Sequence, residues 1–282
     1  MPNKKQIHII KSDILTGFLT NKNKYIIVII LFACIVYSIN NDISNFMVLN
    51  KENQLASITD IWFNLFMGMG EYNPSNGTPF QIPFLWLIIQ TVVGFFIINY
   101  PSQNLYKYGI QVLTRSQSRK TWWISKCIWN ICTVVSVYLI AFLCIFIVLA
   151  VNGQMDFIFN QDINNLYNSL DIDIANSIFT YFTIYAMPII TSITVSLIQM
   201  LLSFVLTPIY SFILVIAYSI ISAYYCSYFF IGNFSMLLRN TLFGIGSIDT
   251  FGCVTICASI IVITIIIGLL YFNRLDIIKK VG

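Results

Sequence analysis

Long uncharged apolar runs recur along the chain at Tyr25 to Ile39, Ile82 to Tyr100, Cys127 to Val151, Ile178 to Phe230 and Gly252 to Phe272. A hydrocarbon core of about 30 Å needs about 20 helical residues, so runs of this kind predict membrane-spanning helices. The fourth run has 53 residues, and a single helix of that length would reach about 80 Å, far beyond any bilayer. It must be two spans, with the break at Thr207-Pro208, because proline removes a backbone donor and biases the residue before it away from helix. The pattern therefore predicts six spans, at about 25–39, 82–100, 127–151, 178–206, 209–230 and 252–272. The first is short and needs help from its flanks.

Six spans put both termini on one side of the membrane, and the charges segregate accordingly. Thirteen of the fifteen basic residues fall in the segment before Tyr25, in the connection after the second span, or after Phe272. Lys51 and Arg239 alone fall on the other face, which holds nine of the eleven acids: Asp42, Glu52, Asp60, Glu71, Asp156, Asp162, Asp171, Asp173 and Asp249. Basic residues mark the cytoplasmic side, so both termini are expected there. Trp122, Trp123 and Trp129 fall at the expected inner boundary and Trp62 and Trp86 towards the outer one, like aromatic belts.

Residues 1–24 carry Ile7, Ile10, Ile14 and Phe18 at three- or four-residue spacing among lysines, the pattern of an interfacial amphipathic helix. The two long outer segments run from Asn40 to Gln81 and from Asn152 to Ser177. The first contains Ile61-Trp62-Phe63-Asn64-Leu65-Phe66-Met67, too short to span, which lies on the outer surface or folds back on the bundle. Asn76-Gly77 is a turn signal.

Composition sharpens this picture. Of 282 residues, 58% are hydrophobic and 9% charged, too few polar groups to cover a water-soluble fold. The net charge of +4 follows from topology and not from a basic face for nucleic acid. The seven cysteines all lie in or beside apolar runs without a C-x-x-C pair, and read as small buried hydrophobes. No span holds Asp, Glu, Lys, Arg or His in its interior, and the sole histidine, His8, precedes the first span. Intramembrane hydrolysis needs a base or metal ligands at membrane depth, so neither an enzyme nor a metal site is expected. The sequence lacks a G-x-x-x-x-G-K-[ST] loop as well, so ATP and Mg, if used, belong to another chain.

The stretch from Gln103 to Lys126, on the expected cytoplasmic side, is basic and amphipathic and ends near a tryptophan pair. Its run Leu113-Thr114-Arg115-Ser116-Gln117-Ser118-Arg119, with Ser125-Lys126 following, resembles the coupling-helix region of ATP-binding-cassette type-2 transporter permeases. The tail Tyr271-Phe272-Asn273-Arg274-Leu275-Asp276-Ile277, the six-span layout and the N-terminal helix resemble that family too. Many members have proline where this chain has Gln117.

The resemblance implies an all-α membrane protein of three parts: an interfacial helix at 1–24, a six-span domain at 25–272 with a cytoplasmic coupling helix, and a cytoplasmic tail at 273–282. It implies coupling to a separate ATPase through Gln111, Thr114, Arg115, Ser118 and Arg119, and pairing with a second permease copy, identical or different. A path between two copies would be lined by Gln90, Asn99, Ser192, Gln199, Tyr218 and Ser222, weakly polar groups that suit a hydrophobic or amphipathic cargo such as a peptide, a lipid-like molecule or a drug. The same residues equally serve as interhelical hydrogen-bonding groups, and Pro188 is a candidate kink. Export through a bacterial cytoplasmic membrane is the function this implies, the high Ile, Asn and Lys usage pointing to an AT-rich bacterial genome. The alternative is a non-transporting immunity or sensor protein that captures a peptide with its outer segments.

Overall fold

The computed structural model describes residues 4–51, 54–77, 79–98, 119–174, 176–243 and 246–274. Among them the chain is helical, with one isolated bridge between Asn240 and Ile248 and no named strand. The helices are α1 (Lys4–Thr20), α2 (Lys22–Leu49), α3 (Ile58–Phe66), α4 (Phe84–Ile97), α5 (Arg119–Val151), α6 (Gln161–Asn168), α7 (Ile178–Val205), α8 (Pro208–Tyr224) and α9 (Thr250–Arg274). Short 3-10 turns lie at Pro74–Asn76, Ile231–Ser235, Leu237–Arg239 and Thr241–Phe243. Four helices, α2, α5, α7 and α9, are long and apolar enough to cross a membrane. The chain is thus an all-helical protein built for a bilayer.

α4 and α8 are shorter, 14 and 17 residues, about 21 and 26 Å long. The two pack against each other and against α7. α4 starts beside Ser235 and ends against Lys24, while α8 starts beside Gly94 and ends on Arg239.

Several expected boundaries move. The first span continues as one helix through Asn40, Asn41 and Asp42 to Leu49, because Asn40 and Ile43 stay buried and nothing breaks the helix before Asn50. Residues 40–49 are therefore not part of a loop. α5 begins at Arg119, eight residues before the expected start, since Trp122, Trp123 and Lys126 pack inward and extend it. α8 starts at Pro208 in the first helical turn, capped by the Thr207 hydroxyl, and stops at Tyr224 rather than Phe230. α7 ends at Val205, and α9 extends two residues beyond the expected span at each end. Gly77 closes its turn in the left-handed conformation that glycine permits.

α7 is the central helix, packed against α3, α4, α5, α8, α9 and the turn at Ile231–Ser235. The large exposed apolar residues lie mostly on the outer faces of the other helices: Ile26, Ile27 and Ile30 on α2, Leu139 and Ile147 on α5, Val262, Ile263 and Ile266 on α9. These are positions for lipid to cover. All five tryptophans are buried in protein, so they do not form lipid-facing belts. Of the cysteines, which are all free, Cys127, Cys144, Cys253 and Cys257 are buried; Cys132 and Cys226 are half-buried and Cys34 is exposed.

Candidate functional site

Among the described residues, most of the basic ones lie at one end of the bundle. There α1 lies along the first turns of α5, and Lys126 and Ser125 both bind the Asp13 carboxylate, Ser125 at 2.8 Å. A methyl at Gly17 would overlap the Trp129 indole, so the small residue sets how closely the two helices approach. Trp122 and Trp123 pack with Phe204 and Phe272, Trp123 stacking on Phe272 with ring centroids 5.2 Å apart. The Trp123 indole donates to the Ile265 carbonyl at 3.0 Å, and Tyr271 donates to the Phe204 carbonyl at 3.1 Å. Arg119, the one expected coupling residue among the described residues, donates to the Asn273 carbonyl at 3.1 Å. Gln111, Thr114, Arg115 and Ser118 lie outside the described residues, as does the coupling helix itself.

A chain of hydrogen bonds runs through the middle of the bundle. The Tyr138 hydroxyl on α5 lies 3.0 Å from the Pro188 carbonyl and 2.6 Å from Ser192 Oγ. Ser192 donates to Gln90 Oε1 at 3.1 Å, and Trp86 Nε1 donates to Ser235 Oγ at 2.8 Å, with Gln90 Nε2 at the limit of bonding distance from the same hydroxyl. Deeper towards the basic end, Ser196 donates to Asn130 Oδ1 at 2.7 Å and Gln199 donates to the Gly94 carbonyl at 2.9 Å. Without water as a partner, each polar group must be satisfied by protein.

The residues expected along a path divide accordingly. Gln90 and Ser192 are brought together in this network, Gln199 joins α7 to α4, and Ser222 turns back on the Ser219 carbonyl. All four are buried within the single chain; Gln90, Ser192 and Gln199 join helices, whereas Ser222 bonds within its own. Tyr218 differs, since it is half-buried and lines an apolar groove of about 460 Å³ between α7 and α8, with Val195, Ile198, Leu202 and Leu214. Its hydroxyl donates to Phe229 and accepts from the Ile231 amide. Asn99 lies outside the described residues.

The opposite, acidic end is organised by two buried charges that the charge pattern by itself did not single out. α3 folds back into the bundle with all nine residues buried. Ser57 and Asp60 form a capping box, and Asp60 also accepts from Asn160 N at 2.9 Å, Asn160 Nδ2 at 3.2 Å and Asn164 Nδ2 at 2.8 Å. Asn64, Asn164 and Asn168 continue the bonding, fastening α6 to α3. Burial pushes the Asp60 carboxyl above the usual carboxylate range, against the pull of its donors. The pattern Ser57-x-x-Asp60 before an apolar run was the sequence signal for this cap.

Arg239, also fully buried, donates to the carbonyls of Ser222, Ala223, Tyr225, Met69 and Gly70 and to Asn233 Oδ1. Three of these carbonyls are at the C-terminus of α8, where orphaned backbone acceptors and the helix dipole favour a cation. The guanidinium fork thereby fixes the 225–243 segment between α8 and the chain leaving α3. Next to the Asp60 cap, Thr59, Phe142, Phe157, Ile158, Tyr181 and Tyr185 line an open apolar groove of about 510 Å³ between α3, α5, α7 and the segment leading to α6. Among the described residues no group of three or more His, Cys, Asp or Glu could hold a metal ion.

A family model described as a protein of unknown function (DUF2705) matches residues 26–278. The chain belongs to the DUF2705 family. The match runs from the start of α2 past the end of α9, so the DUF2705 region is the whole bundle rather than one part of it. No curated protein and no solved structure matches the chain.

Proposed function

We propose that this chain is the membrane-spanning subunit of an ATP-driven exporter, with ATP and Mg held by a separate ATPase chain. α2, α4, α5, α7, α8 and α9 cross a bacterial cytoplasmic membrane as six spans, the two short ones completed by their flanks, with both termini cytoplasmic. The observation that carries the reading is the clamp at the basic end. Arg119 is the first residue of α5, which runs unbroken for 33 residues, about 50 Å, to Val151 and packs on α3 through Tyr138 and Phe142. The clamp of Asp13 on Ser125 and Lys126 joins α1 to that helix just beyond the segment around Gln111 to Arg119. A push on the segment by an ATPase would be delivered through α5 to the far end of the bundle. Two such chains pair, and the cargo that suits their uncharged, weakly polar surfaces is hydrophobic or amphipathic.

Purification in mild detergent from the native cell tests this. Recovery of a P-loop ATPase with the chain, one per copy, supports the reading, as does loss of export with normal membrane insertion when Arg115 and Arg119 are replaced by Glu. Recovery without an ATPase, under conditions that preserve a known transporter complex, overturns it. The second reading, a non-transporting immunity or sensor protein, then takes its place, favoured by the apolar groove at the acidic end.

A further inference from the structure

α7 contains Pro188 in its first half, and proline has no N–H to donate to the carbonyl four residues before it. That carbonyl belongs to Ile184, which is fully buried, where an unsatisfied acceptor is costly. It is not left alone: the Trp62 indole N–H, from α3, donates to it at 3.0 Å. The Tyr138 hydroxyl on α5 meets the Pro188 carbonyl itself at 3.0 Å. Thus the acceptor orphaned by the missing rung of the central helix is satisfied by another element, α3, and α5 bonds the same turn at the proline's own carbonyl.

Trp62 is built for this position. Its ring packs against Phe66, Tyr138 and Tyr185, with centroids 5.0, 6.1 and 5.3 Å away, so its direction is fixed. α3 is in turn fixed by the Asp60 cap and by its bonds to α6. We infer that Pro188 is a hinge in α7 and that Trp62 is its latch: with the indole bonded to Ile184 the two halves of α7 are held in line, and when α3 withdraws, the helix bends at Pro188. α3 and the segment packed on it thereby control the shape of the helix at the centre of the bundle. The inference concerns α7 alone and does not rest on the exporter reading.

A double-mutant cycle on the full chain in lipid nanodiscs tests the latch. Trp62→Phe keeps an aromatic ring but removes the donor, while Pro188→Ala restores the N–H that Ile184 lacks. Loss of one hydrogen bond predicts that Trp62→Phe lowers the unfolding midpoint by about 2–4 °C in the Pro188 background. In the Pro188→Ala background the same substitution should cost clearly less, because the helix now satisfies its own carbonyl. Equal costs in both backgrounds would overturn the latch.

The hinge is read by spin-label distances between Ile178→Cys and Val205→Cys, exposed positions at the two ends of α7, about 40 Å apart, in a background with the native cysteines replaced by Ala. Trp62→Phe should broaden and shorten the distance distribution, and adding Pro188→Ala should narrow it again. An unchanged distribution in Trp62→Phe, or broadening that Pro188→Ala does not reverse, sinks the hinge. If Trp62→Phe does not accumulate by itself, recovery of folded protein in Trp62→Phe/Pro188→Ala supports the inference, and failure to recover counts against it. None of these readouts needs an ATPase or a cargo, so their failure is distinct from failure of the exporter reading.

Discussion

The two ends of the bundle bury charge in different ways. At the basic end Lys126 meets a carboxylate, Asp13, and the pair joins a separate helix to the bundle. At the acidic end Asp60 is surrounded by amide N–H donors and Arg239 by carbonyl acceptors. A buried charge thus needs a counter-ion or enough oriented neutral dipoles, and this chain uses one solution at each end. The difference has a mechanical consequence. An ion pair joins two elements at one point, whereas a charge shared among backbone groups fixes the path of several chain segments at once.

The largest expected effect comes from breaking the pair at the basic end. Lys126→Met removes one partner of the buried Lys126–Asp13 pair and should cost about 3–5 kcal/mol, whereas Lys126→Met with Asp13→Leu should recover most of that loss. Unfolding midpoints in nanodiscs, with proteolysis of α1 as a second readout, compare the two; equal losses would mean that the ion pair is not what holds α1. Next, Arg239→Met strips the carbonyls at the end of α8 of their donors, for an expected loss of about 3 kcal/mol. Arg239→Lys should restore little, because an ammonium lacks the planar fork that reaches carbonyls on both sides. Full rescue by lysine would show that charge alone matters there.

Asp60→Asn is expected to be milder, about 2 kcal/mol, since the amide keeps one acceptor but turns an NH2 towards the donors of Ser57, Asn160 and Asn164. The smallest effect is on pH dependence. Folding raises the Asp60 pKa, so the folded chain binds a proton in the interval where the unfolded chain has already lost it. Stability from this group is therefore greatest below the ordinary carboxylate value and falls as pH rises through the folded value. Midpoints followed from about pH 4 to about pH 7 should show that decline in the native chain and not in Asp60→Asn.

How the two ends are built was unequally legible. At the basic end, the lysines, the amphipathic period of α1 and the tryptophan pair are local signals of a densely packed end, and only the pairing of Lys126 with Asp13 was hidden. Those two residues are 113 positions apart, and neither run contains a sign of the other. At the acidic end the capping box at Ser57 and Asp60 is a local signal, but the donors from Asn160 and Asn164 lie about a hundred positions away. The tryptophans show the same limit. Whether an indole faces lipid or protein depends on which helix lies opposite, and here all five face protein.

Local pattern alone determined that this is a helical membrane chain, roughly where its apolar helices lie, and that the long fourth run breaks at Pro208. These follow from helix length, the missing proline N–H and the cost of charge in hydrocarbon, all properties of neighbouring residues. Only the tertiary structure decided that α3 is buried in the bundle, that α2 runs on to Leu49, and that Trp62 completes the broken ladder of α7. In a membrane protein lipid-facing and protein-facing side chains are both apolar, so hydrophobicity does not tell them apart. The orphaned polar groups find their partners across long stretches of chain, and packing alone chooses them.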